Sequence, residues 1–118
     1  MPFEVERSAL DSGVIVLALS GSMTIGNQLQ DLESAVQELI RKNQNRIVVD
    51  MSKVSYLDSS AIGVLIACHS NLRSSGGQLR LAGVTARVNT VFKMTGVDKV
   101  LSLDPTRDDS VAALSAGA

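Results

Sequence analysis

At 118 residues, with 45% apolar and 19% charged side chains, the chain has the make-up of one globular domain that needs neither disulfides nor a metal to fold. Its 11 basic and 12 acidic side chains leave a formal charge of −1. The densest basic group, Arg41, Lys42 and Arg46, falls at an expected helix end, which argues against nucleic acid or an anionic membrane as the main partner.

Cys68 is the only cysteine, so no intramolecular disulfide can form and a reducing, cytoplasmic compartment is expected. The first residues, Met1 to Arg7, show no basic head followed by an apolar stretch, so no signal peptide is expected. The longest apolar run, Val14 to Leu19, is six residues, far short of the roughly 20 that a membrane helix requires. No membrane insertion is expected.

In chain order, Phe3-Glu4-Val5-Glu6 alternates as a half-buried strand does. Asp11-Ser12-Gly13 supplies a turn, and Val14 to Leu19 reads as a buried strand, so the two form an antiparallel hairpin. Ile25, Leu29, Leu32, Val36, Leu39 and Ile40 then mark one stripe of a helix starting near Ile25. Its polar face carries Gln30, Glu33, Gln37 and Arg41, and the Arg41-Lys42 pair suits the negative end of the helix dipole. Ile47-Val48-Val49 forms a second apolar strand ending at Asp50, and Met51 to Leu57 reads as a short connection. From Ser59 to about Ser74, Ile62, Leu65, Ile66, His69 and Leu72 share a helical face. Gly76-Gly77 ends that helix, and Gln78 to Ala82 alternates as another strand. Val88, Val91 and Phe92 mark a third helix from about Thr85, stopped by Gly96 in the C-cap role. Val100 to Leu103 reads as a short edge strand. Asp104-Pro105 reads as a cap followed by proline at the first helical position, and Val111, Ala112 and Leu114 dock this last helix. Residues 115–118 read as a frayed tail.

The order β-β-α-β-α-β-α-β-α predicts one α/β domain over residues 1–118. Its mixed sheet begins with an antiparallel hairpin, is parallel in its centre, and packs against about four helices joined by right-handed crossovers.

Candidate chemistry is sparse. Gly21-Ser22-Met23-Thr24-Ile25-Gly26 has the glycine spacing of a phosphate loop, but Asn27-Gln28 follow where a Lys and a Ser/Thr are required. These glycines read as turn residues. His69, the only histidine, lies ten residues beyond Ser59 on one helix, roughly 14 Å away by helical rise. It reads as a packed core histidine and not as a base for serine. Cys68 and His69 are adjacent on a helix and point about 100° apart, so no metal set forms. No cofactor and no catalytic residue are expected.

Asp58-Ser59-Ser60 stands out. One polar residue there suffices to cap a helix, yet three in a row separate Leu57 from Ala61-Ile62. A serine at a helix N-terminus, at the C-terminal edge of a parallel strand, suits phosphorylation, because free N–H groups and the positive dipole end tolerate a dianion.

The stretch from Ile47 to Leu65, IVVDMSKVSYLDSSAIGVL, resembles the core of the STAS domain family, and more closely its bacterial anti-sigma factor antagonists. Leu17 to Gly21, Gly76 to Leu81 and Phe92 to Val100 match further landmarks in order. The resemblance implies an antagonist that binds an anti-sigma factor, usually a serine kinase, and so frees a sigma factor. It implies phosphorylation of Ser59 by that kinase and its reversal by a serine phosphatase. Asp58 then helps to position the acceptor hydroxyl, and Ser60 is a supporting neighbour. Two positions depart from the family pattern: Thr24 stands where members often carry an acidic residue, and Ala61 where glycine is frequent. The alternatives that the resemblance leaves are a scaffold subunit of a sensory assembly, for which stable homo-oligomers such as a homodimer are expected, and a peripheral STAS subunit of a lipid or anion transporter.

The expected partner surface joins the Ser59 helix start to the Ser22–Asn27 loop. It comprises Met23, Thr24, Leu57, Ser59 and Ile62, with Met23, Ile25 and Leu57 exposed around a switchable hydroxyl. The alternative is that Met23 and Ile25 turn inward as a staple for the first helix.

Overall fold

The hairpin at the start of the chain pairs β1 (Glu4–Ala9) with β2 (Ile15–Met23), placing Glu4 opposite Ser20 and Ala9 opposite Ile15. The turn between them is closed by Leu10 N–H to the Val14 carbonyl and Gly13 N–H to the Leu10 carbonyl, both at 2.9 Å. In this computed structural model, which describes residues 3–25 and 28–116, the chain continues through α1 (Gln30–Arg41), β3 (Arg46–Leu57) and α2 (Ser59–Ser74). It then forms β4 (Gln78–Ala82), α3 (Ala86–Thr95), a 3-10 turn at Val97–Lys99, β5 (Ser102–Asp104) and α4 (Arg107–Ala116). The five strands lie in the order β1-β2-β3-β4-β5, parallel from β2 onward. This is the mixed sheet that the alternating periods imply.

A chain that steps across a sheet in one direction, with one crossover hand, lays its connecting helices on one face. Here Ile15, Leu17, Ile47, Val49, Leu79 and Leu81 form that face. They pack with Leu32, Val36 and Leu39 of α1, Leu65 and Leu72 of α2, and Val88 and Phe92 of α3. The alternate residues Val14, Val16, Val48 and Ala82 face the other way, against Leu114 of α4. Helices on both faces explain why β2 and the first half of β3 are apolar throughout instead of alternating.

Polar clamps hold α4 in place. Arg107 Nε and Nη2 reach Asp50 Oδ2 at 2.9 and 2.8 Å, and Ser110 Oγ donates to Asp104 Oδ2 at 2.7 Å. Asp104 also takes a two-pronged bond from Arg80, at 2.6 and 3.0 Å.

Several boundaries differ from the sequence reading, beginning with β1, which runs on to Ala9 and not only to Glu6. Next, α1 begins at Gln30 and not near Ile25, since Gln28 adopts φ +59°, a value no right-handed helix accommodates. In addition, β2 runs on to Met23, and the supposed connection Met51 to Leu57 is the second half of β3, paired with it. Register shifts between Ala18 and Ser20 and between Gly21 and Ser22 break the period-two pattern there, and Gly21 takes φ +92°, which glycine adopts without strain. Further on, α4 starts at Arg107, because Thr106 Oγ1, not Asp104, accepts the Asp109 N–H at 3.1 Å. Asp104 instead ends β5, which covers Ser102–Asp104 and leaves Val100 and Leu101 outside it. Finally, Ser115 and Ala116 belong to α4, so only residues 117 and 118 of the expected tail lie outside the described residues. The other two starts agree with the sequence reading. Asp58 and Thr85 cap α2 and α3, and Gly96 closes α3 in the left-handed conformation at φ +76°.

Candidate functional site

Beyond Ala82, where β4 ends, β2 and β3 continue together as a two-stranded ribbon, pairing Ser20 with Lys53, Ser22 with Tyr56 and Met23 with Leu57. The ribbon brings the end of β2 to the start of α2. Asp58 stands at the junction in extended backbone, φ −111° and ψ −176°, which is the usual geometry of a capping residue.

Four bonds meet at Asp58, and its carbonyl makes one of them by accepting the Ile62 N–H at 3.3 Å. Its N–H donates to the Met23 carbonyl at 3.1 Å. Its Oδ1 accepts the Ala61 N–H at 3.1 Å, and its Oδ2 accepts the Ile25 N–H at 3.0 Å. The Ile25 N–H does most to hold the Asp58 carboxyl below the usual carboxylate range, with the Ala61 and Ser60 N–H groups adding to it against partial burial. The side chain is therefore an anion engaged with backbone donors. The sequence reading gave Asp58 the task of positioning the serine hydroxyl; the bonds it makes run to Ala61 and Ile25.

Ser59 is the first residue of α2 and is exposed. It sits where helix N–H groups lack intrahelical partners and where the dipole favours negative charge. Ser60 is half-buried and lines an open groove of about 380 Å³ between the two helices, with Ile25, Leu29 and Glu33 on one side and Val64 beside it on the other.

The expected surface residues divide sharply. Met23 and Leu57 are 0% and 2% exposed, and Ile62 is 9% exposed. All three belong to the core. This corrects the expectation that Met23 and Leu57 form an exposed patch: as paired strand residues they point into the core beneath α1 and α2. Thr24 is half-buried, while Ile25 is 78% exposed. Met23 thus turns inward, as a paired strand residue and not as a staple at the helix entry, while Ile25 stays outside. Of the Ser22–Asn27 loop, Gly26 and Asn27 lie outside the described residues. Periodicity alone could not reveal the Ile25 backbone bond to Asp58, because a backbone donor leaves no trace in residue identity.

Cys68 and His69 are buried on α2. Burial first, with the Glu33 carboxylate adding to it, pushes the Cys68 thiol up to about 12. Burial, then the Arg73 cation, lowers the pKa of His69. Neither is presented to Ser59.

No described helix is long and apolar enough to cross a membrane. In comparisons with known proteins, the chain is 26% identical over 106 residues to the anti-sigma F factor antagonist of Paenibacillus polymyxa, covering 87% of this chain and 86% of that one. The crystal structure of an anti-sigma factor antagonist from Mycobacterium paratuberculosis superposes with a TM-score of 0.83 at 26% identity, over 95% and 93% of the two chains. The Bacillus protein SpoIIAA shares the fold, with TM-scores of 0.74 and 0.71 for its unphosphorylated and phosphorylated forms. Identity is 14% and 15%, and coverage of this chain is 98% and 93%, against 100% and 98% of SpoIIAA. The sequence profile of the STAS domain matches residues 8–110, almost the entire sheet and its helices, and the chain belongs to the STAS domain family.

Proposed function

We propose that this chain is an anti-sigma factor antagonist: it binds an anti-sigma factor with serine kinase activity, frees the sigma factor, and is switched off by phosphorylation of Ser59. The observation that carries this reading is the exposed Ser59 at the first position of α2, beside a capped and ordered helix start. Relatives named as anti-sigma factor antagonists match along nearly the whole chain, and the related SpoIIAA is known in a phosphorylated form. Both support the role.

The action is binding and not catalysis. Ser59 has no base beside it from His69, which is buried further along α2. The phosphoryl donor and the base that accepts the hydroxyl proton belong to the kinase, and a serine phosphatase restores the binding form. Physically the switch is one of charge. An unmodified hydroxyl enters an interface at the cost of one hydrogen bond, whereas a phosphate brings about −1.5 to −2 charges and a hydration shell. The surface offered to the partner is Ser59 with Thr24, Ile25 and the groove at Ser60, supported from below by Met23, Leu57 and Ile62.

Affinity capture from the native cell with Ser59→Ala as bait recovers the kinase, and phosphopeptide mapping after incubation with it finds the phosphate on Ser59. Ser59→Asp then binds at least tenfold more weakly, about 1.4 kcal/mol. A phosphate found only on Ser60, or undiminished affinity of Ser59→Asp in calorimetric titration, overturns the reading.

A further inference from the structure

The two carboxylate oxygens of Asp58 serve different parts of the molecule. Oδ1 accepts the Ala61 N–H and so caps α2. Capping asks for a single acceptor, which Ser, Thr or Asn would supply as well. Oδ2 is left for the Ile25 N–H at 3.0 Å, a bond across 33 positions of sequence that does nothing for the helix. Ile25 belongs to no strand or helix, and its side chain, 78% exposed, is not held by burial. What fixes this apolar side chain in space is its backbone, and the backbone is tied to Asp58. The Asp58 N–H, bonded to the Met23 carbonyl at 3.1 Å, secures the other side of the same junction.

We propose that Asp58 is a positioning residue that fixes the Ile25 loop against the start of α2, and that a phosphate on Ser59 loosens this link and so disturbs the loop as well as the serine itself. The first half stands on geometry alone; the second rests on reading Ser59 as the modified residue. A phosphate on Ser59 is a second anion one residue from the Asp58 carboxylate, and it competes with that carboxylate for the N–H donors of the first turn of α2 while repelling it. Of the two bonds described for the Asp58 carboxylate, the one to the cap is backed by the whole of α2. The bond to an exposed loop is the one that gives way. Modification is thereby felt at Ile25, through the Asp58 carboxylate.

The test is amide hydrogen exchange by NMR on the isotope-labelled full chain. Asp58→Asn retains a single oxygen acceptor, so it can cap α2 or hold Ile25 but not both. The expected result is at least tenfold faster exchange at Ile25, with Ala61 protection and the thermal midpoint nearly unchanged. Asp58→Ser, whose short hydroxyl caps but cannot also reach the loop, should give the same pattern. Chain carrying phosphoserine at position 59, incorporated during synthesis so that no kinase is needed, should show Ile25 exchange accelerated at least fivefold. Random-coil exchange at Ile25 in the unmodified protein, or unchanged exchange there in both Asp58 variants, overturns the link. Exchange at Ile25 that responds to the Asp58 variants but not to phosphoserine overturns the coupling. A cognate kinase that leaves Ser59 untouched refutes the reading of the serine, and the Asp58 comparison still decides the link.

Discussion

Met23 and Ile25 are two residues apart on the same rim, and polar substitutions there should fail in opposite ways. Met23 is fully buried under α1 and α2. An aspartate placed there must be neutralised to stay inside, and raising its pKa from about 3.9 to above 7 costs about 1.36 kcal/mol per unit, or about 4 kcal/mol at pH 7. Losing the buried methionine adds about 2 kcal/mol. The sum of about 6 kcal/mol rivals the 5–15 kcal/mol by which domains are ordinarily stable, so Met23→Asp should be largely unfolded or melt far below the parent. Because the carboxyl is the cause, the penalty should shrink to about half near pH 5, where neutralisation costs only about 1.5 kcal/mol. Ile25→Gln, on an exposed loop residue, should leave stability within about 0.5 kcal/mol. Its effect should appear in binding, since burying an isoleucine at an interface is worth about 1.5–3 kcal/mol, at least a tenfold loss of affinity. Urea unfolding followed by circular dichroism, at pH 7 and pH 5, measures the first effect, and calorimetric titration with the captured partner measures the second. A Met23→Asp protein within 1 kcal/mol of the parent at pH 7 would refute the packing argument. Undiminished binding by Ile25→Gln would remove the loop from the partner surface.

Acid should weaken the anchorage of α4. The Arg80 bonds, aided by Ser110 and opposed by burial, hold Asp104 below its ordinary pKa. Burial works to raise Asp50, but its bonds to Ser52 and Arg107 together outweigh it and leave it lowered. A carboxyl whose folded pKa is depressed contributes stability that is present above its unfolded pKa and lost as pH falls through the folded value. Thermal midpoints should therefore drop more steeply below pH 4 for the parent than for Asp104→Asn, and parallel curves would contradict this. Buried, and with its thiol pushed up to about 12, Cys68 is held as the unreactive thiol. Labelling by a disulfide reagent should wait on unfolding, and prompt labelling of the native protein would show that α2 opens locally.

Much of the fold was legible because strand and helix periods alternate cleanly in this chain. The stripe from Ile25 to Ile40 and the face shared by Ile62, Leu65, Ile66, His69 and Leu72 both predict helices; the second is helical throughout and the first from Gln30 onward. The apolar runs at Val14 and Ile47 signal strands covered on two sides, and helices cover both sides. Errors occur where local irregularity interrupts a period. In Met51 to Leu57 the buried positions are Met51, Val54 and Leu57, a spacing of three that belongs to neither period; the ribbon with β2 accommodates it through shifts in register. At α1, Ile25 falls on the helical stripe by spacing alone, and only the positive φ at Gln28 takes it off the helix. At the last helix, Asp104-Pro105 has the look of a cap, but the Arg80 guanidinium and the Ser110 hydroxyl claim the carboxylate first.

The capped start of α2 was legible in the sequence and the exposure of the residues around it was not, for one physical reason. Reading Met51 to Leu57 as a connection leaves Met23 and Leu57 on loops, where apolar side chains at a rim would be exposed. Continuing β2 and β3 as a paired ribbon turns both side chains inward and makes them the floor of the site. That same pairing carries the Met23 carbonyl to the Asp58 N–H and sets Ile25 within reach of the Asp58 carboxylate. A charge switch works through a defined neighbourhood: a dianion on a disordered loop would be screened and hydrated wherever it moved, whereas one at a fixed helix start meets the same donors and the same carboxylate every time. On the reading proposed for Ser59, the buried floor, the capped helix and the tied Ile25 backbone give it such a neighbourhood, and Met23 and Leu57 serve by holding the surface above them still.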